Sequence, residues 1–593
     1  MRRFTLIAAG VAFLASAAFA APTVVLQPSR TSGVAPLAVH FDAADTTAPG
    51  IDAFSQLAFR WDFGDPNSGS FSVTGRSKNT AAGPVAAHVY ETPGSYSVTL
   101  RVSDPSGVVT TRTATISVSG PNTVYSGTST ICVSASGAFA GCPSGAQQVV
   151  SSSFNDAVSA ATTGHRVLLH RGETYAAAQM GINRGGPVTI GAFGTGAAPL
   201  IQSSATTLIK LGGVPSSFDD VRIMDLSFDG GGVAGSRTFD GQGTVTNLLV
   251  LRVSITNFDN AAFIAHQAAS RAGRMNEGLF FADCTFNNFT GPGDGFYLSA
   301  HKLVMLGNRG DYRNAPDHLL RIPYIERGVI SHNRFEGAGV GRHVVKIHSL
   351  GEADVLSFPE RRSREFVFSD NVVVGSSNGW DATVGPQNTT EDERVERALF
   401  ERNLFRLAPS GSVSLFLWGS QLTVRNNVFD SSAASGGAGV IFGRRGIEPN
   451  PVGDTAVNNT CYSTTGTVSC ANFQAGSGHF SANNLAVGAA GSSASGLAGG
   501  STNLVVSSPP WLAANPQVMS DYKTDAPRAA ALIDKGTTLA EVTIDPLGVI
   551  APFDGNNDGV ASWDVGAFEV GTPSGGGSPP PASAPAAPVL LAP

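Results

Sequence analysis

Val329-Ile330-Ser331-His332-Asn333-Arg334-Phe335 alternates apolar and polar residues up to an asparagine and then returns to an apolar side chain. The same figure recurs as Leu422-Thr423-Val424-Arg425-Asn426-Asn427-Val428-Phe429. Period-two alternation marks a strand with one buried face. Outward from these two segments, the form apolar-x-apolar-x-x-Asn-x-apolar recurs. Its anchors are Leu226, Val253, Cys284, Asn308, Asn333, Asn371, Asn403, Asn427, Asn459 and Asn484. The steps between anchors are 27, 31, 24, 25, 38, 32, 24, 32 and 25. A base step near 24 with longer excursions is what a coil of three short strands per turn produces, with the extra residues housed in loops. Asn suits the bend after a strand because it tolerates a left-handed backbone and hydrogen-bonds neighbouring amides. Stacked rung on rung, such residues form a buried amide ladder, so these Asn read as structural and none is a site candidate.

The chain around this repeat has 593 residues, 42% of them hydrophobic and only 14% charged, with 70 glycines. That is ample core material in a chain of short strands and turns rather than long solvated helices. With 38 basic and 45 acidic side chains the net charge is −7, which argues against a global polycationic surface for nucleic acid. Arg2 and Arg3 precede an apolar run ending in Ala18-Phe19-Ala20, the pattern of a secretory leader over 1–20. No later run is long enough to span a bilayer. A secreted, extracellular or periplasmic protein is therefore expected, one that functions as a monomer and can carry disulfides. Cys132 with Cys142 and Cys461 with Cys470 are the simplest pairings, leaving Cys284 as a buried small hydrophobe.

Between residues 21 and 120 the chain alternates as Val24–Leu26, Ala38–Phe41, Leu57–Phe63, Tyr96–Val102 and Thr113–Val118, short strands of an antiparallel sandwich. Trp61-Asp62-Phe63-Gly64-Asp65, Pro93-Gly94-Ser95-Tyr96-Ser97-Val98-Thr99-Leu100 and the opening Gly33-Val34-Ala35-Pro36-Leu37-Ala38-Val39-His40-Phe41-Asp42 resemble the polycystic-kidney-disease-type (PKD) domain. The resemblance implies an Ig-like module that acts as a spacer or contact domain and carries no chemistry, with Trp61 in its core.

The ladder itself resembles the right-handed parallel β-helix of the pectin-lyase-like superfamily. Phe154-Asn155-Asp156-Ala157-Val158-Ser159-Ala160-Ala161 looks like the capping helix, near 152–162, that opens such helices. Leu532-Ile533-Asp534-Lys535-Gly536 and Trp563-Asp564-Val565-Gly566-Ala567-Phe568-Glu569 look like the closing segment, near 530–570. The expected architecture is all-β: a sandwich over 21–120, a β-helix over 121–570, and a Pro/Gly/Ser/Ala-rich tail over 571–593 that is too poor in apolar residues to pack. The fold hosts lyases, hydrolases, epimerases, tailspikes and adhesins, so it does not name a reaction.

Because the ladder fixes register, outward residues can be compared rung by rung. Thirteen residues past successive anchors come His266, Tyr297, Arg321 and Lys346, before the column lapses at Val384. Strand alternation turns Arg321, Lys346 and His348 outward, and four rungs span about 14 Å, enough for a few sugars. Ten residues past the anchors come Asp294, His318, His343 and Asp381. The longest step adds Gly351–Arg364, including Arg361 and Arg362, beside the same stripe. Lys346, Arg321, His348 and Tyr297 are thus candidate catalytic residues. His266, His318, His343, Asp294, Asp381, Arg361 and Arg362 are candidate substrate contacts. Leu320-Arg321 with Val329, Asn333, Phe335, Gly337 and Gly339 also looks like the arginine rung of chondroitinase-B-type and alginate lyases. In that family the base is a Lys on the preceding rung, where this chain has Tyr297, with Lys346 on the following one.

The chemistry that suits this stripe is elimination from a uronate. Removing the proton next to a carboxylate builds negative charge that Arg, Lys or bound Ca²⁺ stabilises, while a Lys, His or Tyr takes the proton. Lys346 beside Arg321 is expected to have a lowered pKa, since like charges disfavour its protonation. A glycoside hydrolase needs two carboxylates roughly 5–10 Å apart, and Asp294 and Asp381 are expected three rungs apart, at about 14 Å. The expectation is a secreted polysaccharide lyase acting on a uronate-containing glycan. The alternative is a non-catalytic carbohydrate-binding or adhesion protein on the same fold. Asp554, Asn556, Asp558 and Gly559 resemble the start of a calcium loop, with Val565 where its bidentate Glu belongs, and a plain turn is the other reading. Zinc-spaced Cys/His clusters, phosphate loops and serine elbows are missing from the sequence.

Overall fold

The computed structural model describes residues 21–212, 218–265, 275–289, 291–313, 317–351, 362–375, 380–385, 390, 392–434, 436–444, 446, 449–497 and 502–570. The expected leader and tail lie outside them, as do His266, Arg361 and most of the 351–364 loop.

The N-terminal strands form a sandwich. Leu37–Asp42 pairs antiparallel with Val85–Tyr90 and with the short Gln27–Pro28. The facing sheet runs in the order Ser32–Val34, Val109–Ser119, Gly94–Ser103, Ala58–Asp62, Thr80–Ala82. Alternate residues Leu37, Val39, Phe41, Trp61, Phe63, Val98, Leu100 and Val102 meet between the sheets. Trp61 is buried there, and its indole N–H donates to the Gly83 carbonyl at 2.8 Å.

From Thr130 onward parallel strands wind into a right-handed β-helix, opened by a short helix over Phe154–Ala160 whose Ser153 hydroxyl accepts from the Asp156 amide. One flank is a 13-stranded parallel sheet running from Thr174–Ala177 to Leu504–Val506. The amide ladder exists. Asn308, Asn333, Asn371, Asn403, Asn427, Asn459, Asn484 and Asn503 pass side-chain hydrogen bonds from one to the next at 2.9–3.1 Å. From Asn333 onward each Oδ1 also accepts the backbone amide of the asparagine on the rung before, as Asn333 N donates to Asn371 Oδ1 at 2.9 Å, while Asn308 Oδ1 accepts the Cys284 amide at 3.0 Å. The left-handed backbone expected of these asparagines belongs instead to the residue before each one from Asn308 to Asn484: Gly307, His332, Asp370, Arg402, Asn426, Asn458 and Asn483 have φ of 50–68°, as does Asp283 before Cys284. The ladder residue itself stays buried and turned toward its partner, so the turn is made one position earlier.

Cys132–Cys142 and Cys461–Cys470 are disulfides, and Cys284 is free and buried, its thiol pushed up to about 12 by burial. Residues 530–570 add no strand. Leu532, Ile533, Val565 and Phe568 pack along the flank of the last rungs, against Leu404, Val428, Tyr462 and Leu485.

The sandwich is docked on the helix rather than strung from it. Ala38, Phe54, Phe71, Val85 and Ala87 share an apolar cluster with Leu249, Leu251, Phe280, Val304, Leu306, Val329, Val367 and Leu399. Ion pairs ring this patch: Arg327 with Asp42 and Asp45, Arg76 with Asp370, Lys78 with Asp283, and Arg397 with Asp52. No described helix is long and apolar enough to cross a membrane.

Candidate functional site

The site face is carried by the strands Asn260–Ile264, Phe296–His301, Leu320–Glu326, Val345–Ile347 and Trp380–Val384. Their inward residues, among them Phe296, Leu298, Leu320, Ile322, Val345, Ile347 and Val384, lie in the main apolar core. The outward column reads Phe263, Tyr297, Arg321, Lys346, Thr383 and Phe416, each paired by register with the next. Tyr297, Arg321 and Lys346 thus stand on three consecutive rungs.

Two expected members of this column are displaced. Phe263, not His266, opposes Tyr297, because nine positions separate Asn287 from Phe296 whereas six separate Thr256 from Ala262. His266 itself lies outside the described residues. After Lys346 the column continues at Thr383, and Val384 faces the core opposite Ile347.

Packing couples the column. The Arg321 guanidinium lies over the Tyr297 ring at 5.0 Å, Tyr297 stacks on Phe263 at 4.9 Å, and Arg237 covers the far side of Phe263 at 3.9 Å. Arg321 is 18% exposed and also meets Asp294 Oδ2 at 3.5 Å. Lys346 is only 6% exposed, more covered than an outward position implies. His348 is buried as well, its Nδ1 2.9 Å from the Ser349 carbonyl and 3.9 Å from Glu393. Arg362 is bound to Asp392, which Arg394 also approaches, and Arg361 lies outside the described residues.

A second column runs beside the first. Asp294 leads to His318, whose ring stacks on His343 at 5.2 Å, and His343 stacks on Trp380 at 5.6 Å with the planes 8° apart. Trp380, not Asp381, therefore completes it. Asp381 is one residue out of register and turns under the chain at Gly375, where its Oδ1 would lie 2.1 Å from an added Cβ. Burial holds its carboxyl well above the usual carboxylate range. A one-residue slip changes the face, so Asp381 leaves the site.

Burial also raises Asp294 to about 7 despite Arg321 beside it, with Asp317 adding to the rise. Its Oδ1 is buried without a hydrogen-bond partner. Burial, with His343 next to it, pushes His318 down to about 2. Asp317, half-buried and held by Arg342 at 3.3 Å, is a residue the rung comparison missed. Asp294, Asp317 and His318 offer ligand atoms within 4.8 Å of one another, the one such group of three among the described residues. The separation that counted against hydrolysis paired Asp294 with the wrong partner: Asp317 is near and Asp381 is not part of the face. A cation there would compete with Arg321 for the Asp294 carboxylate. At the other suggested metal site, Asp554 accepts the Asp558 and Gly559 amides, Asn556 accepts the Asp558 amide and Asp558 accepts the Val560 amide.

A PKD domain model matches residues 19–118, the sandwich described above. No curated protein matches the chain. Among solved structures, a promiscuous carbohydrate-binding module of the β-sandwich superfamily is 29% identical over 17% of this chain, with a TM-score of 0.14. The chain spans 36% of that structure's length. A family 28 exopolygalacturonase of Yersinia enterocolitica is 11% identical over 82% of this chain and 98% of its own, with a TM-score of 0.37. A rhamnogalacturonan lyase is 13% identical over 65% and 91%, with a TM-score of 0.34.

Proposed function

We propose that the chain is a secreted polysaccharide-degrading enzyme, a lyase that cleaves a uronate-containing polysaccharide by β-elimination. The observation that carries the reading is the register of Tyr297, Arg321 and Lys346 on three adjacent strands, a tyrosine and two cations on one outer face. In this scheme Arg321 holds the uronate carboxylate and stabilises the charge that grows on it as the neighbouring C–H bond breaks. Lys346, reacting as the neutral amine, takes that proton and becomes the ammonium. The electron pair becomes the new carbon–carbon double bond and expels the glycosidic oxygen, which receives a proton from Asp294, a carboxyl that burial keeps protonated to about pH 7. Tyr297 sets the height of Arg321 by lying under its guanidinium.

A second reading has its own observation. Asp294 and Asp317 offer oxygens within 4.8 Å of each other, and one is raised to about 7, the division of roles a hydrolase uses. Incubating the protein with a panel of polyuronides separates the two. Elimination yields ultraviolet absorbance from an unsaturated product with each new reducing end, whereas hydrolysis yields reducing ends alone. Binding without either signal overturns both.

A further inference from the structure

The column that carries Arg321 also runs toward the N-terminal end of the helix. Its register passes from Tyr297 to Phe263, then to Asp240 and Lys210. Arg237, at the start of the Asp240 strand, lays its guanidinium over Phe263 at 3.9 Å and donates from Nη1 to Asp240 Oδ1 at 3.0 Å. Asp240 is buried, whereas the Arg237 side chain is 34% exposed. A guanidinium carries five N–H donors in a planar fork, so a bond to Asp240 leaves donors for a second carboxylate. Phe263 and Tyr297 between them are half-buried, a stacked pair with one guanidinium against each end. Lys210, half-buried one rung further on, makes no ion pair with a described residue and adds to the positive charge of this stretch.

We propose that Arg237 is a second carboxylate-binding station on this face, taking a uronate of the same glycan on the N-terminal side of the Arg321–Lys346 centre. The strands of Arg237 and Arg321 are three rungs apart, about 14 Å, which is too far for one uronate to reach both and is spanned by a few sugars. Asp240 holds the guanidinium across Phe263, so the fork is placed before the ligand arrives and less side-chain freedom is lost on binding. The occupant follows from charge: a partly exposed guanidinium with an ammonium one rung beyond it selects an anion. The substrate class is therefore a glycan whose carboxylates recur along the chain, not a neutral glycan with an isolated uronate. The assignment deepens the uronate reading of the site and rests on it for the carboxylate at Arg321.

The test is equilibrium binding of the full chain to homouronate oligosaccharides from one to six units, with neutral oligosaccharides of the same lengths beside them. Wild-type affinity should step up at the length that first reaches Arg237. Arg237→Gln should remove that step, weakening the longer homouronates about tenfold, the effect of losing one charge-assisted contact. It should leave the monouronate and the neutral series unchanged. Arg237→Lys keeps the charge without the fork and should recover part of the step. Parallel length curves for wild type and Arg237→Gln overturn the station. So does an equal loss at every length, the monouronate included, which would make Arg237 a support for the Phe263–Tyr297 stack alone. No recovery in Arg237→Lys overturns it as well. If the length step follows Arg237 but no glycan yields an unsaturated product, the station stands and elimination fails. If elimination proceeds and no step depends on Arg237, the reverse holds.

Discussion

Lys346 and Arg321 are neighbours on one face with different surroundings, and their substitutions should separate. Lys346→Ala should lower kcat by about 10²–10⁴-fold, the usual contribution of a positioned base. Because Lys346 is 6% exposed, the same change also removes buried aliphatic stem and should lower the thermal midpoint. Lys346→Met keeps that packing and should lose turnover with little loss of stability, so the pair of variants divides chemistry from packing. Arg321→Ala should raise KM and lower kcat together, and Arg321→Lys should restore only part, a point charge replacing a planar fork. Asp294 supplies the pH dependence. Its folded-state pKa of about 7 lies above the ordinary carboxylate value, so the native state keeps a proton that the unfolded chain has lost. Stability should fall as pH rises from about 4 to about 7 and level off above. Asp294→Asn should remove that slope, raising the thermal midpoint at pH 8 and leaving it unchanged at pH 4. As proton donor, Asp294 should also make the elimination rate of the wild type decline above pH about 7.

Among elements, the asparagine ladder is the one whose loss spreads. Asn371 accepts the backbone and side-chain amides of Asn333 and donates to the Ile330 carbonyl and Asn403 Oδ1, all of them buried. Asn371→Ala leaves these groups unpaired, at roughly 1–3 kcal/mol for each. The expected result is a marked fall in the urea midpoint, while Asn288→Ala, on an exposed turn, should fall far less. Asn371→Asp keeps the acceptor and loses the donor, so it should be worse at pH 7 than at pH 4, where a protonated carboxyl can donate again. The ladder was legible in the sequence because Asn recurs with the rung. The identity of the left-handed residue was not, because Asp, His, Arg, Asn and Gly all serve at the preceding position and leave no compositional trace.

At the scale of the whole molecule the sandwich and helix share an apolar interface. Leu249, Leu251, Phe280, Val304, Leu306, Val329, Val367 and Leu399 form a strip along the outside of the helix that packs against Ala38, Phe54, Phe71, Val85 and Ala87 of the sandwich. A chain lacking 21–120 should self-associate through that strip, visible as concentration-dependent light scattering, whereas the full chain should not. A module that were only a spacer would be removable without this effect. Its docking face lies on the strands preceding the asparagines, away from the strands that carry Arg321 and Lys346, so the sandwich leaves the site face uncovered.

The sequence by itself determined the architecture, the two disulfides and the Tyr297–Arg321–Lys346 column. All three follow from local spacing: alternation, close cysteines, and a constant thirteen residues from anchor to strand. Tertiary structure alone decided the rest of the site. A turn three residues longer put Phe263 where His266 was expected, and one a residue shorter exchanged Asp381 for Trp380. Side chains in a strand alternate between faces, so an uncounted turn residue moves a group from the outer face into the core. Nor can spacing show what covers Lys346, brings Asp317 beside Asp294 or docks the sandwich, since those contacts join residues far apart in the chain and depend on how the coil closes around them.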